Sequence, residues 1–171
     1  MKKTLALVMA VLLTITIVRA QVGWITHKAD NRISVKFPNE PKEVTPGTFV
    51  ALDKIGKDSV GYSITVVDLE KVAGIDSATL TPIKATQQFA DQLKAGMKQS
   101  LTDIDLQDFK ISTWKGFTSY STTGNGATKK QTMYIFMVLI GSKMYSLSSV
   151  VPNGVATTGR DEFFSSLTLT N

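Results

Sequence analysis

Met133-Tyr134-Ile135-Phe136-Met137-Val138-Leu139-Ile140 is a run of eight apolar residues without a polar break. A strand with one wet face alternates apolar and polar side chains, whereas a strand covered on both faces does not. The run therefore predicts a strand buried above and below. Gly141-Ser142 follows as a two-residue hairpin turn. Lys143 to Val151 then returns, with Tyr145 and Leu147 pointing one way and Ser146 and Ser148 the other.

The segments before the run extend the sheet. Phe117 to Thr123 reads as a strand ended by Gly124-Asn125-Gly126, because Asn-Gly is a favoured pair for a tight hairpin. Phe109, Ile111 and Thr113 alternate with Lys110 and Ser112. Further upstream, Ile33, Val35 and Phe37 alternate with Ser34 and Lys36, and Pro38 ends that strand. Trp24 to His27 reads as a short edge strand. Thr48 to Ile55 and Val60 to Val67 form a hairpin about Gly56-Lys57-Asp58. Asp68 to Thr81 reads as a polar connector. Phe89, Leu93 and Met97 recur at helical spacing, which predicts one long helix over about 84–101 opening near Pro82. Thr158-Gly159-Arg160-Asp161 has the pattern of a capping box and opens a short C-terminal helix that buries Phe163, Phe164 and Leu167.

A central strand dry on both faces needs two covers, and the chain offers a long helix and a C-terminal helix. The expected class is α+β: an α/β/α sandwich with a mostly antiparallel sheet. At 171 residues, the chain is long enough for a core without staples. This matters because it has no cysteine, which also excludes thiolate catalysis, Cys-ligated zinc and a lipid anchor on a thiol.

The start of the chain has the grammar of a secretory leader. Met1-Lys2-Lys3 is a basic head, Leu5 to Val18 is apolar except for Thr14 and Thr16, and Val18-Arg19-Ala20 precedes a cleavage point before Gln21. The apolar run is shorter than the roughly 18–20 residues of a membrane span. The expectation is a leader over 1–20 and one globular domain over 21–171, exported to the periplasm or the medium without a membrane span. Lys2, Lys3 and Arg19 account for part of the net charge of +5, and the rest of the chain carries only +2. That balance gives no footing for nucleic-acid binding.

Trp24, together with Ile33-Ser34-Val35-Lys36-Phe37-Pro38-Asn39-Glu40-Pro41-Lys42, resembles the opening of PsbP-like exported domains, relatives of the extrinsic photosystem II protein and of the Ran-binding Mog protein. Met144-Tyr145-Ser146-Leu147 and Phe163-Phe164-Ser165-Ser166-Leu167 are similar to that family's final strand and helix. The resemblance covers nearly all of residues 22–169. It implies the family's α/β/α sandwich and an accessory or scaffold role, and it carries no set of functional residues onto this chain.

The sequence holds few candidates for chemistry. His27 is the single histidine; a Ser–His–acid triad would have to use it, yet Gly61-Tyr62-Ser63-Ile64-Thr65 fails the nucleophile-elbow pattern. The plain reading is a solvated histidine on a peripheral strand. Ser112-Thr113-Trp114-Lys115 matches Ser-x-x-Lys but lies in a strand, without the helix that chemistry requires. Asp103, Asp105 and Asp108 are candidate calcium ligands without the glycine and glutamate of an EF-hand loop. Gly124 to Lys129 lacks the ending of a phosphate loop, and Lys129-Lys130 reads as a solvated strand edge. Trp24, His27 and Trp114 are the candidate partner contacts, with burial in the core the default for both tryptophans. No cofactor is expected. The leading expectation is a non-enzymatic exported accessory protein that binds an envelope or secreted protein. The alternative is a small-ligand or lipid carrier with a cleft between sheet and helix, and a hydrolase using His27 is a third.

Overall fold

The computed structural model describes residues 23–170, so the expected leader lies outside the described residues. In chain order the elements are β1 (Ile25–Lys28), β2 (Ile33–Phe37), β3 (Lys42–Thr45), β4 (Thr48–Ile55), β5 (Asp58–Asp68), α1 (Leu69–Ala73), α2 (Ser77–Leu80), α3 (Gln87–Ser100), β6 (Ile104–Leu106), β7 (Lys110–Trp114), β8 (Phe117–Gly126), β9 (Gln131–Ile140), β10 (Lys143–Pro152), α4 (Gly159–Ser165) and β11 (Thr168–Leu169). The main sheet has eight strands in the order β3-β4-β5-β10-β9-β8-β6, with β7 also paired to β8. A second sheet has the order β1-β2-β11. All strand pairs are antiparallel.

The apolar run forms most of β9, which lies between β10 and β8. Val138 and Ile140 belong to a core with Ile33, Val35 and Phe37 of β2 and Phe163 of α4. Ile135, Met137 and Leu139 point the other way, into a core with Leu80 of α2, Phe89 and Ala90 of α3, and Leu106 and Phe109. Alternate residues of one strand thus feed two cores on opposite faces, as a period of two requires. The first cover differs from the expected helical layer. The small sheet β1-β2-β11 shares that side with α4, because β2 supplies three fully buried side chains.

Both hairpins expected at Gly56 and Gly141 are present. Ile55 pairs with Asp58 and Ile140 with Lys143, and both glycines have positive φ. The hairpin expected at Gly124-Asn125-Gly126 is not. β8 runs on through Gly126, and the chain turns over 127–130, so Lys129 and Lys130 sit in the loop. These glycines serve close approach. A Cβ on Gly124 would lie 2.5 Å from Ile104 Cγ2 and 2.9 Å from Leu106 Cδ2, and one on Gly126 would collide with the Lys129 carbonyl.

The helices begin at local caps. The long helix α3 starts at Gln87, five residues past Pro82, because Thr86 Oγ1 accepts from the Phe89 N–H at 3.3 Å. The Tyr120 hydroxyl donates to the Lys84 carbonyl and ties the preceding turn to the sheet. Burial pushes this phenol up to about 12. The polar connector holds α1 and α2, each capped by an aspartate: Asp68 accepts from the Lys71 N–H and Asp76 from the Thr79 N–H. The capping box at Thr158 does not form. Thr158 is helical and its side chain makes no cap bond, while Thr157 Oγ1 accepts from the Gly159 N–H at 3.0 Å.

Asp30 joins the two sheets. Its Oδ1 accepts from the N–H groups of Arg32 (2.8 Å) and Ile33 (3.0 Å), shaping the β1–β2 turn. Its Oδ2 accepts from Lys143 Nζ (2.8 Å) and the Tyr145 hydroxyl (2.7 Å), both on β10. Burial pushes the Asp30 carboxyl up, but the bonds from Lys143, Arg32, Tyr145 and Ile33 outweigh it and hold the group below its ordinary range. Burial, and then the bond to Asp30, push Tyr145 up, so it stays protonated and donating. A carboxylate with a lowered folded-state pKa contributes stability above its unfolded pKa and loses that contribution as pH falls through the folded value. Asp30→Ala is therefore expected to cost about 2 kcal/mol near neutral pH. In urea titrations the gap to the parent protein should close below about pH 4; a gap constant from pH 7 to pH 3 would contradict this role.

Candidate functional site

The first cover does not extend over the whole face of the main sheet. Helix α4 and β2 pack over β4, β5, β10 and part of β9, and Trp114 and Phe117 at the β7–β8 turn also join this core, which leaves the same face open only at the far ends of β7 and β8, around Lys110, Ser121 and Thr123. Strand register defines the floor there. Lys110 of β7 lies opposite Ser121 of β8, which lies opposite Phe136 of β9; in the next row Thr123 lies opposite Tyr134. Opposed residues in antiparallel strands project to the same face. Phe136 and Tyr134 face the first core, so Lys110, Ser121 and Thr123 share that side.

The outcome is a cleft of about 300 Å³ between α4 and the β7 side of the sheet. Tyr134, Phe136 and the α4 residue Phe164 supply apolar surface, and Ser121 and Thr123 supply hydroxyls. Arg160 stands at the α4 wall with its guanidinium carbon 4.5 Å from the centre of the Tyr134 ring, in cation–π range. Asp161 accepts from Arg160 Nε at 2.8 Å and lies 2.7 Å from Nη2. The hydrogen bond to Asp161 raises the Arg160 pKa further, so its charge is permanent. Lys110 marks the opposite wall and has no ion pair among the described residues. Asp108, also at the cleft, is occupied by Lys94 at 2.6 Å, which holds its carboxyl below the usual range. The uncompensated charge at the cleft is therefore positive.

None of the residues singled out from sequence lines this cleft except Asp108. The three aspartates proposed for calcium do not form a metal-holding group. Asp103 Oδ1 accepts from the Thr128 N–H (3.1 Å) and hydroxyl (2.6 Å), pinning the β8–β9 loop. Asp105 pairs in β6 with Asn125, and Asp108 is tied to Lys94. Trp24 is half-buried, edge-on to Tyr62 at 5.3 Å. Trp114 is half-buried beside the first core, with Lys115 Nζ 5.2 Å above its ring. Ser112, the serine of the Ser-x-x-Lys match, bonds the Ser119 hydroxyl at 2.9 Å, while Lys115 occupies a positive-φ turn position.

His27 differs from its expected setting. It lies on β1, but its ring packs against Phe49 at 4.3 Å and Phe37 at 5.9 Å, and its buried Nε2 has no hydrogen-bond partner among the described residues. Among the described residues no nucleophile or acid is hydrogen-bonded to it. A buried unpaired nitrogen is a stability cost. His27→Phe is expected to raise the thermal midpoint by about 2–4 °C; a fall of that size would show that the imidazole makes a needed polar contact.

The signal for the cleft was present in β8. After Phe117, its side facing the first core reads Ser119, Ser121 and Thr123, all small and hydroxylated, whereas the other side carries the large, fully buried Tyr120. Ser119 is nonetheless fully buried, and only the Ser121–Thr123 end of this face opens into the cleft.

No family model matches the chain, and a search of curated proteins finds no match. Solved structures do match its fold. The solution structure of cyanobacterial PsbP (CyanoP) from Synechocystis sp. PCC 6803 aligns with a TM-score of 0.53 at 12% identity, over 86% of this chain and 91% of that one. A crystal structure from Bacteroides thetaiotaomicron VPI-5482 aligns with a TM-score of 0.52 at 12% identity, over 88% of this chain and 49% of that one, so the chain spans about half the length of the Bacteroides protein. The fold is PsbP-like, as the sequence resemblance implied, and identity this low speaks to the fold alone.

Proposed function

We propose that the chain is an exported, non-enzymatic binding protein that holds a small ligand with an apolar body in the cleft between α4 and strands β7–β9. The cleft itself carries this reading. Its volume of about 300 Å³ falls at the lower end of ligand sites, and its aromatic floor with a few convergent polar groups matches their usual make-up. The exposed large apolar residues among the described residues, Val44, Leu52, Val72, Ile83 and Leu169, do not line the cleft, so they do not extend it into a broad protein-binding patch. The leader pattern over residues 1–20 supports export. Among the described residues no helix is long and apolar enough to cross a membrane.

A second reading, an accessory protein gripping an envelope partner, draws support from β7. Among the described residues this strand pairs only with β8, so its outer edge there offers backbone groups of the kind that accept an added strand. One set of measurements separates the two. Native mass spectrometry of protein isolated without denaturation should show a small-molecule adduct that is released on unfolding and is lost in Ser121→Trp, whose side chain fills the cleft while circular dichroism stays unchanged. An adduct-free spectrum, or an adduct that survives Ser121→Trp, would contradict the ligand reading. A single envelope protein captured by photo-crosslinking along β7 would favour the second.

A further inference from the structure

We infer that the occupant of this cleft is an amphiphilic anion: an aliphatic or aromatic body carrying one carboxylate head. The inference rests on reading the cleft as the binding site and adds the chemistry of what it selects. The floor divides into two zones along the strand register. Tyr134, Phe136 and Phe164 form the apolar zone on the α4 side. Lys110, Ser121 and Thr123 form a polar zone toward the sheet edge, with Lys110 directly across from Ser121. Adjacent strands lie about 4.8 Å apart, so Lys110 and Phe136, two strands apart, are separated by roughly 10 Å. A ligand can thus lay its body on the rings while its head reaches the hydroxyl and ammonium groups.

The charges select the sign of that head. Four charged or chargeable groups matter here: Asp108, Lys110, Arg160 and its neighbour Asp161. Asp108 is neutralised by Lys94, and Asp161 takes the Nε edge of Arg160, whose remaining N–H groups are left for a ligand. Lys110 has no competing carboxylate among the described residues. Arg160 is held in place by the Tyr134 ring, and a guanidinium fixed by stacking loses little freedom when it binds a carboxylate. Asp161 is largely exposed, with 73% of its side chain accessible. Its pull on Arg160 is therefore screened, and a ligand carboxylate shielded from water by the apolar floor can compete.

The test uses three probes of one chain length with different heads, each kept below its micelle threshold: decanoate, decanol and decyltrimethylammonium. Amide shifts of the labelled protein report where each binds. The expected result is saturable perturbation by decanoate around Gln107, Lys110, Ser121, Thr123 and Arg160. Decanol should bind at least about tenfold more weakly, the scale of a charge-assisted head-group contact, and decyltrimethylammonium should leave these signals unmoved. Lys110→Gln combined with Arg160→Gln should erase the preference of decanoate over decanol. The wild-type ratio stands on its own should that double variant unfold. Equal binding of decanol and decanoate would overturn the anion inference and leave the cleft as a ligand site. Failure of all three probes to reach these residues would overturn both. Perturbation by phosphatidylglycerol vesicles but not by monomeric decanoate would replace a free amphiphile with a membrane surface and would also refute the inference.

Discussion

The structure depends on one constraint: the end of β9 from Met137 to Ile140 must be dry on both faces, while Met133, Tyr134 and Phe136 before it are only half-buried. The main sheet has a cover on each side, but the two are offset. The β2–α4 cover lies over β4, β5, β10 and β9, and the α2–α3 cover lies over β9 and β8. They overlap on β9, where Met137, Val138 and Leu139 are each at most 1% exposed. Burying such side chains stabilises the fold by about 1.5–3 kcal/mol each. The same offset leaves two half-faces uncovered. On one, over β5 and β10, hydroxyls pair with each other, as in the 2.7 Å contact between Ser63 and Ser148. The other, over the Lys110 end of β7, the Ser121–Thr123 end of β8 and Tyr134 and Phe136 of β9, is the cleft.

Offset covers also explain why the two sheets need a lock. The small sheet reaches the main one through packed side chains of β2 and through Asp30, whose four bonds join the β1–β2 turn to Lys143 and Tyr145. Lys143 directly follows the turn out of β9. The lock therefore acts at the end of the strand on which both covers converge.

Much of this was legible in the sequence because side-chain period maps directly onto burial. Eight apolar residues in a row point to a strand covered on both faces, which β9 is over Met137 to Ile140 but not at the half-buried Met133, Tyr134 and Phe136; the alternation of β10 and the Phe89, Leu93 and Met97 stripe of α3 were readable too. Features set by long-range contact were not. Gly124 and Gly126 look like a turn in isolation, and only the approach of Ile104, Leu106 and the Lys129 carbonyl shows why glycine is needed within a strand. Thr158 has the right neighbours for a capping box, yet the hydroxyl of Thr157 bonds the Gly159 N–H. Asp103, Asp105 and Asp108 are close in sequence, but the fold assigns them to a loop, a strand and an ion pair. The cleft was the hardest to see. Its parts come from β7, β8, β9 and α4, and no local motif links Lys110 with Arg160.

Hydrogen exchange along β9 tests the central claim most directly. If both faces are sealed there, the amides of Met137 to Ile140 open only when the whole molecule unfolds, so their exchange free energies should coincide with the global value and share its denaturant dependence. Exchange of these amides through local opening, at free energies as low as those of the edge strand β7, would contradict the account.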